Sequence, residues 1–172
     1  SLRIVDYLEE RYPAFRGLNL SYETRVGLFK HPELVKKAEQ SGMGKFHSFL
    51  SPSLESQTVD VADEIAYDNH DIDDGLTSGL IKEEELAKLA LWRAVSTKVG
   101  GKSIKNPDVR KYQIIRGLIN LEVTDLIRHS VKKIKMHSLR NAAQAMQIDH
   151  FLIGFSPELL KKRKELRDFL KP

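Results

Sequence analysis

The chain has 172 residues, 41% hydrophobic and 30% charged, with a net charge of +4, which is the size and composition of one globular domain able to bury a core. With no cysteine it has no disulfide framework, thiolate metal site or cysteine nucleophile, and a reducing cytoplasm is the default compartment. No apolar run approaches the roughly 20 residues of a membrane span, no signal-peptide pattern opens the chain, and the small positive surplus suits an anionic ligand without arguing for nucleic acid.

Ser1 to Arg11 starts inside a helical stripe of Leu2, Val5 and Leu8, with neither an initiator Met nor a cap, so the chain reads as a fragment. Tyr12-Pro13 should end that helix, because the residue before proline is pushed out of the helical region. Ser21 is placed to cap a helix through Tyr22, Val26 and Phe29, with Leu18 and Tyr22 read as core. Pro32 suits the first turn of another short helix through Leu34 and Ala38. Ser41-Gly-Met-Gly44 and Ser48 to Ser53 form a Gly/Ser-rich break, where a mobile loop is expected.

Ser51-Pro52 supplies an N-cap and a first-turn proline for the next helix, and Glu55 suits its positive end. At about 100° per residue, Asp60, Asp63, Tyr67, His70 and Asp71 share one face of that helix, while Val59, Ala62, Ile65 and Ala66 fall on the other side. Acids at three- and four-residue spacing favour a solvated face over a ligand-binding one. Asp73-Asp74 ahead of Gly75 marks the expected end of the helix or the acidic start of the next. A calcium loop with Gly75 at its sixth position fails, since His70 and Ile72 would have to be ligands.

Gly79 to Val99 is helical by pattern, with Leu80, Leu86, Leu89, Trp92 and Val95 inward and Trp92 read as a core aromatic. A phosphate-loop reading of Val99-Gly-Gly-Lys-Ser103 fails because Ser96 stands where the first glycine is needed. Gly100-Gly101 is instead a helix C-cap, followed by a basic linker to Asn106-Pro107. Arg110 to Arg128 repeats Ile114, Leu118, Leu121, Val123 and Ile127 as a helix. Tyr112, Arg116 and Arg128 on it are candidates for touching a base or triphosphate, though surface or core-edge roles are commoner at such positions. Lys132, Lys133 and Lys135 form a solvated basic run, and Leu159 to Leu170 closes the chain as an amphipathic helix. No strand alternation is sustained anywhere, so the expected fold is all-α.

The run Val59-Asp-Val-Ala-Asp-Glu-Ile-Ala-Tyr-Asp-Asn-His-Asp-Ile-Asp-Asp-Gly-Leu76 resembles the last metal-ligand helix of the bacterial deoxyguanosinetriphosphate triphosphohydrolase-like proteins, a branch of the HD-domain phosphohydrolases. The resemblance implies that Asp63 is the closing Asp of a His, His-Asp, Asp metal site holding Mn²⁺ or Mg²⁺. It implies that Tyr67 lies beside the triphosphate and sugar and that Asp71 reads the ribose 3′-hydroxyl. Positions i, i+4 and i+8 would line these contacts along one helix. His70-Asp71 is a literal His-Asp dipeptide but follows Asp63, whereas the signature pair precedes it; no upstream His-Asp exists here, and His31 and His47 stand alone.

By the same resemblance, residues 1–100 are the C-terminal part of an HD phosphohydrolase domain and residues 101–172 a helical phosphohydrolase-associated region that packs between subunits. The implied function of the intact protein is metal-dependent hydrolysis of a dNTP substrate to deoxynucleoside and triphosphate, by a homo-oligomer, with this fragment alone inactive. Two alternatives stay open. One is an HD phosphohydrolase acting on another nucleotide or a phosphomonoester; the other is a non-catalytic helical module for oligomerisation or single-stranded DNA binding.

Overall fold

Capping side chains set most element boundaries in the computed structural model, which describes residues 2–29, 40 and 49–171. A π-helical turn over Ile4–Leu8 precedes α1 (Tyr22–Gly27), α2 (Leu54–Ser78), α3 (Glu83–Leu86) and α4 (Ala90–Lys98). A 3₁₀ turn over Gly101–Ser103 then leads to α5 (Pro107–Met136), α6 (Ala142–Met146) and α7 (Pro157–Leu170). The fold is all-α, as expected: among the described residues the one β feature is an isolated bridge between Tyr12 and Phe15. The segment after Pro32, the glycine-rich Ser41–Gly44 break, His31 and His47 lie outside the described residues. No helix among the described residues is long and apolar enough to cross a membrane.

Ser21, Asn106, Asn141 and Ser156 each accept a backbone N–H at a helix start, satisfying donors that have no partner inside the helix. The expected cap of α2 is displaced. Ser53 accepts from the Ser56 N–H at 3.2 Å, whereas Ser51 is buried and donates its hydroxyl to the Ile148 carbonyl. The helix begins at Leu54, so only Ser53 stands at the right distance from the free N–H groups.

The chain divides into two compact units. The first comprises residues 1–60 and 134–152; Leu2, Val26, Phe29 and Met146 form its core, with Val5, Tyr22 and Phe49 against them. Gln57 is buried there, donating to the Pro52 carbonyl at 2.8 Å and accepting from the Leu152 N–H at 2.9 Å. The second unit comprises residues 61–133 and 153–172, built around Ile65, Ile72, Leu86, Trp92, Leu118 and Leu159.

Three expectations change in the second unit. α2 does not end at Asp73-Asp74 but runs to Ser78, with Gly75 buried inside it because Ile81 folds back onto that spot. The Gly79–Val99 pattern breaks into α3 and α4, and Leu80 is 86% exposed. Glu85 accepts from the Lys82 N–H at 2.9 Å and nucleates a fresh turn there, past the break. On α5, Val123 and Ile127 face outward; the buried line is Ile114, Leu118, Glu122, Leu126 and Ser130, an unbroken four-residue repeat disguised by two polar members. Trp92 is in the core, and Gly100, at φ +66°, takes the left-handed conformation expected of a C-cap.

A Cβ on Gly75 would meet Ile81 Cδ1 at 2.5 Å and Cγ1 at 2.8 Å. Gly75→Ala should therefore destabilise the chain by up to about 2 kcal/mol, the overpacking cost of about 1–3 kcal/mol less a helix-propensity gain of about 1 kcal/mol. Urea denaturation followed by Trp92 fluorescence measures this, and Ile81→Val in the same chain should recover part of the loss. A midpoint unchanged by Gly75→Ala would refute it.

Candidate active site

α2 turns one of its sides to solvent along most of its length. Asp63, Tyr67, His70 and Asp71 are all exposed, Tyr67 at 66%. Successive residues on a helix diverge by about 100°, so inward Ile65, Asp68, Asn69, Ile72 and Gly75 leave this set pointing away from the core. The apolar residues expected on the opposite side divide. Ile65 is buried, but Val59 (69% exposed), Ala62 and Ala66 join the outward surface, which is therefore broader and less polar than its acids alone suggest.

None of Asp63, Tyr67, His70, Asp71 or Arg116 has a side-chain hydrogen bond, ion pair or ring contact among the described residues, which leaves their polar atoms to water or a ligand. Tyr112 is exposed with the Lys111 ammonium 4.5 Å from its ring centroid, and Lys111 itself is held by Asp73 and Thr77, each at 2.8 Å. Arg116 and Arg128 are exposed on α5. The fold thus sets Asp63, Tyr67 and Asp71 along one face, while no side-chain contact joins Tyr112 or Arg116 to them.

Among the described residues no three His, Cys, Asp or Glu side chains converge as metal donors. Asp63 is an exposed carboxylate with no second donor paired to it, so these residues alone do not fit a bound divalent ion, which needs several oxygen or nitrogen ligands.

Deoxyguanosinetriphosphate triphosphohydrolase-like proteins align along nearly the whole chain. That of Geobacter metallireducens is 38% identical over 99% of the chain, that of Bordetella pertussis 38% over 99%, and that of Thiobacillus denitrificans 39% over 99%. The chain is a homologue of these triphosphohydrolase-like proteins. It spans 44% of the Geobacter and Bordetella proteins and 46% of the Thiobacillus one. No protein-family model matches it.

The inward side of the same helix holds a charge cluster that periodicity did not reveal. Arg163 of α7, 3% exposed, contacts Asp68 at 2.6 Å, Glu122 at 2.8 Å and Glu64 at 3.6 Å. Its guanidinium lies 4.1 Å from the centroid of the Phe155 ring. One turn further along α7, Arg167 reaches Asp68 at 2.9 Å and Glu64 at 3.1 Å. Asn69 donates to Glu122 at 2.8 Å and to the Ile65 carbonyl at 2.9 Å. Burial, with the nearby Asp68 charge adding, pushes the Glu122 carboxyl above its ordinary range against the opposing pull of Arg163 and Asn69. One signal for the cluster exists in the sequence: Glu64 and Asp68 are four apart, as are Arg163 and Arg167. Two helices with such matched pairs can meet through both at once.

Proposed function

We propose that the chain is part of a metal-dependent dNTP triphosphohydrolase that converts a dNTP and water to deoxynucleoside and inorganic triphosphate. The observation that carries this reading is the alignment of 99% of the chain with triphosphohydrolase-like proteins, together with three polar side chains, Asp63, Tyr67 and Asp71, exposed along one face of α2 and unpaired among the described residues. At about 1.5 Å rise per residue these lie about 6 Å apart along the helix, a spacing that suits successive parts of one extended nucleotide.

In this reading Asp63 supplies one hard oxygen ligand to Mn²⁺ or Mg²⁺, and the other ligands come from outside the described residues. Tyr67 offers a hydroxyl to the phosphate and sugar, and Asp71 accepts from the ribose 3′-hydroxyl. Tyr112 and Arg116 are assigned to the substrate as secondary contacts, Arg116 because a guanidinium fork matches phosphate oxygens. The 172-residue chain alone is inactive, because one carboxylate cannot hold the ion. The boundary between the phosphohydrolase part and the associated helical region is placed near residue 100, and the protein acts in the cytoplasm.

A homo-oligomer belongs to the same proposal. It is supported by Ile119, Val123, Ile127 and Val131, which lie exposed at four-residue spacing along α5. A module serving single-stranded DNA rather than nucleotide hydrolysis would show salt-dependent binding indifferent to Asp63.

Asp71 supplies the test of substrate class. In the full-length protein, Asp71→Ala should erase most of the preference for a dNTP over its 2′,3′-dideoxy analogue, because a carboxylate whose hydroxyl partner is missing penalises only the analogue. A preference that survives Asp71→Ala refutes this assignment.

A further inference from the structure

On α2 each residue assigned to the ligand is followed by one turned toward α7 or the core, with Glu64 still partly exposed. Glu64 follows Asp63, Asp68 follows Tyr67 and Ile72 follows Asp71. Glu64 and Asp68 are the residues engaged by Arg163 and Arg167 of α7, and Ile72 is fully buried. The ion pairs therefore fix more than the distance between helices: with the angle between neighbours set by the helix, clamping residues 64 and 68 sets the direction of residues 63 and 67.

We propose that Arg163 and Arg167, acting through Glu64 and Asp68, are positioning residues that fix the rotation of α2 about its axis and aim Asp63, Tyr67 and Asp71 at a common ligand. The inference rests on the function proposed above. Its physical basis is leverage. Rotating a helix by about 20° moves a group at a side-chain radius of about 5–6 Å by about 2 Å, and misplacement of a reacting group by about 1 Å can cost about 10²-fold in rate. The packed apolar contacts of Ile65 and Ile72 also oppose such a rotation, but they are non-directional and name no particular partner atom. The Arg163–Asp68 pair at 2.6 Å resists it directionally, because rotation would strip a buried guanidinium of its carboxylate, and the partly exposed Arg167 pairs at 2.9 and 3.1 Å add a smaller restraint. Arg163 also holds Glu122 of α5, so the same cation references α2 to the helix that carries Tyr112 and Arg116.

The test uses the full-length protein with Asp68→Asn, which keeps an acceptor of the same shape, and Arg163→Lys, which keeps the charge but loses the fork. kcat and KM are measured on a dNTP and on its 2′,3′-dideoxy analogue, with helix content followed by circular dichroism. Each variant should keep its helix content, lose about 10-fold or more in kcat/KM on the dNTP, and narrow the preference over the dideoxy analogue. A purely structural role would leave that preference alone. Parental kcat, KM and preference in both variants overturn the positioning role while the proposed function stands; a parent inactive on every dNTP overturns both. Should either variant fail to fold, the other decides.

Discussion

Asp63→Ala in the full-length protein should reduce release of triphosphate from dNTPs in the presence of Mn²⁺ by about 10³-fold or more. A catalytic divalent ion contributes several kcal/mol of transition-state stabilisation, and every 1.36 kcal/mol is about a factor of ten in rate. The exposed position of Asp63 makes the experiment clean, because a side chain with no partner among the described residues can be removed with little effect on folding. Helix content and thermal midpoint should match the parent. Asp60→Ala on the same helix, which is no proposed ligand, provides the comparison; equal activity in the Asp63→Ala protein and its parent would return the acidic face of α2 to ordinary solvated surface. The 172-residue chain should show no dNTP hydrolysis at all, and turnover by it would contradict the one-carboxylate argument.

Arg163→Met should strongly destabilise the chain, by about 3–5 kcal/mol near neutral pH, since it leaves the buried Glu122 carboxylate without its cation and Asp68 with Arg167 alone. Asp68 and Glu122 are both buried, Glu122 with no measurable exposure, and Phe155 would lose the guanidinium stacked on its ring. Urea denaturation read through Trp92, the one tryptophan, reports on the unit that contains the cluster. The pH dependence has a definite sign. The Glu122 carboxyl is raised in the folded state, chiefly by burial, so its contribution to stability is fully present below the ordinary carboxylate range and is lost as pH rises through the raised value. Without Arg163 that loss grows, so the gap between Arg163→Met and parent should widen from acid toward neutral pH, and Glu122→Gln in the variant should narrow it. A variant within about 0.5 kcal/mol of the parent, the range of ordinary surface changes, would mean that the cluster is stabilised by its packing rather than by its charges.

The sequence by itself determined the class of fold and much of its punctuation. Helical periodicity, Ser21 as a cap, the Gly100 turn and Trp92 in the core all depend on interactions within a few residues or on strong burial preference, and all were legible. The outward set of Asp63, Tyr67 and Asp71 was legible too, as a face, because angular spacing on a helix is a local property. Near neighbours in the chain misled where the partner lay further away. Ser51 has the chemistry of a cap, but its hydroxyl goes to Ile148. Asp73, Asp74 and Gly75 carry a stop signal, yet Ile81 packs over Gly75 and α2 continues.

Only the tertiary structure decided which charges of α2 face inward. Asp68 and Asp71 are the same residue type three positions apart, one buried against Arg163 and Arg167 and the other exposed. Glu122 and Ser130 occupy core positions of α5 where a hydrophobic pattern predicts none. The reason is energetic: a buried carboxylate is tolerated only opposite a cation and hydrogen-bond donors, and those of Asp68 stand 95 and 99 residues away in the chain.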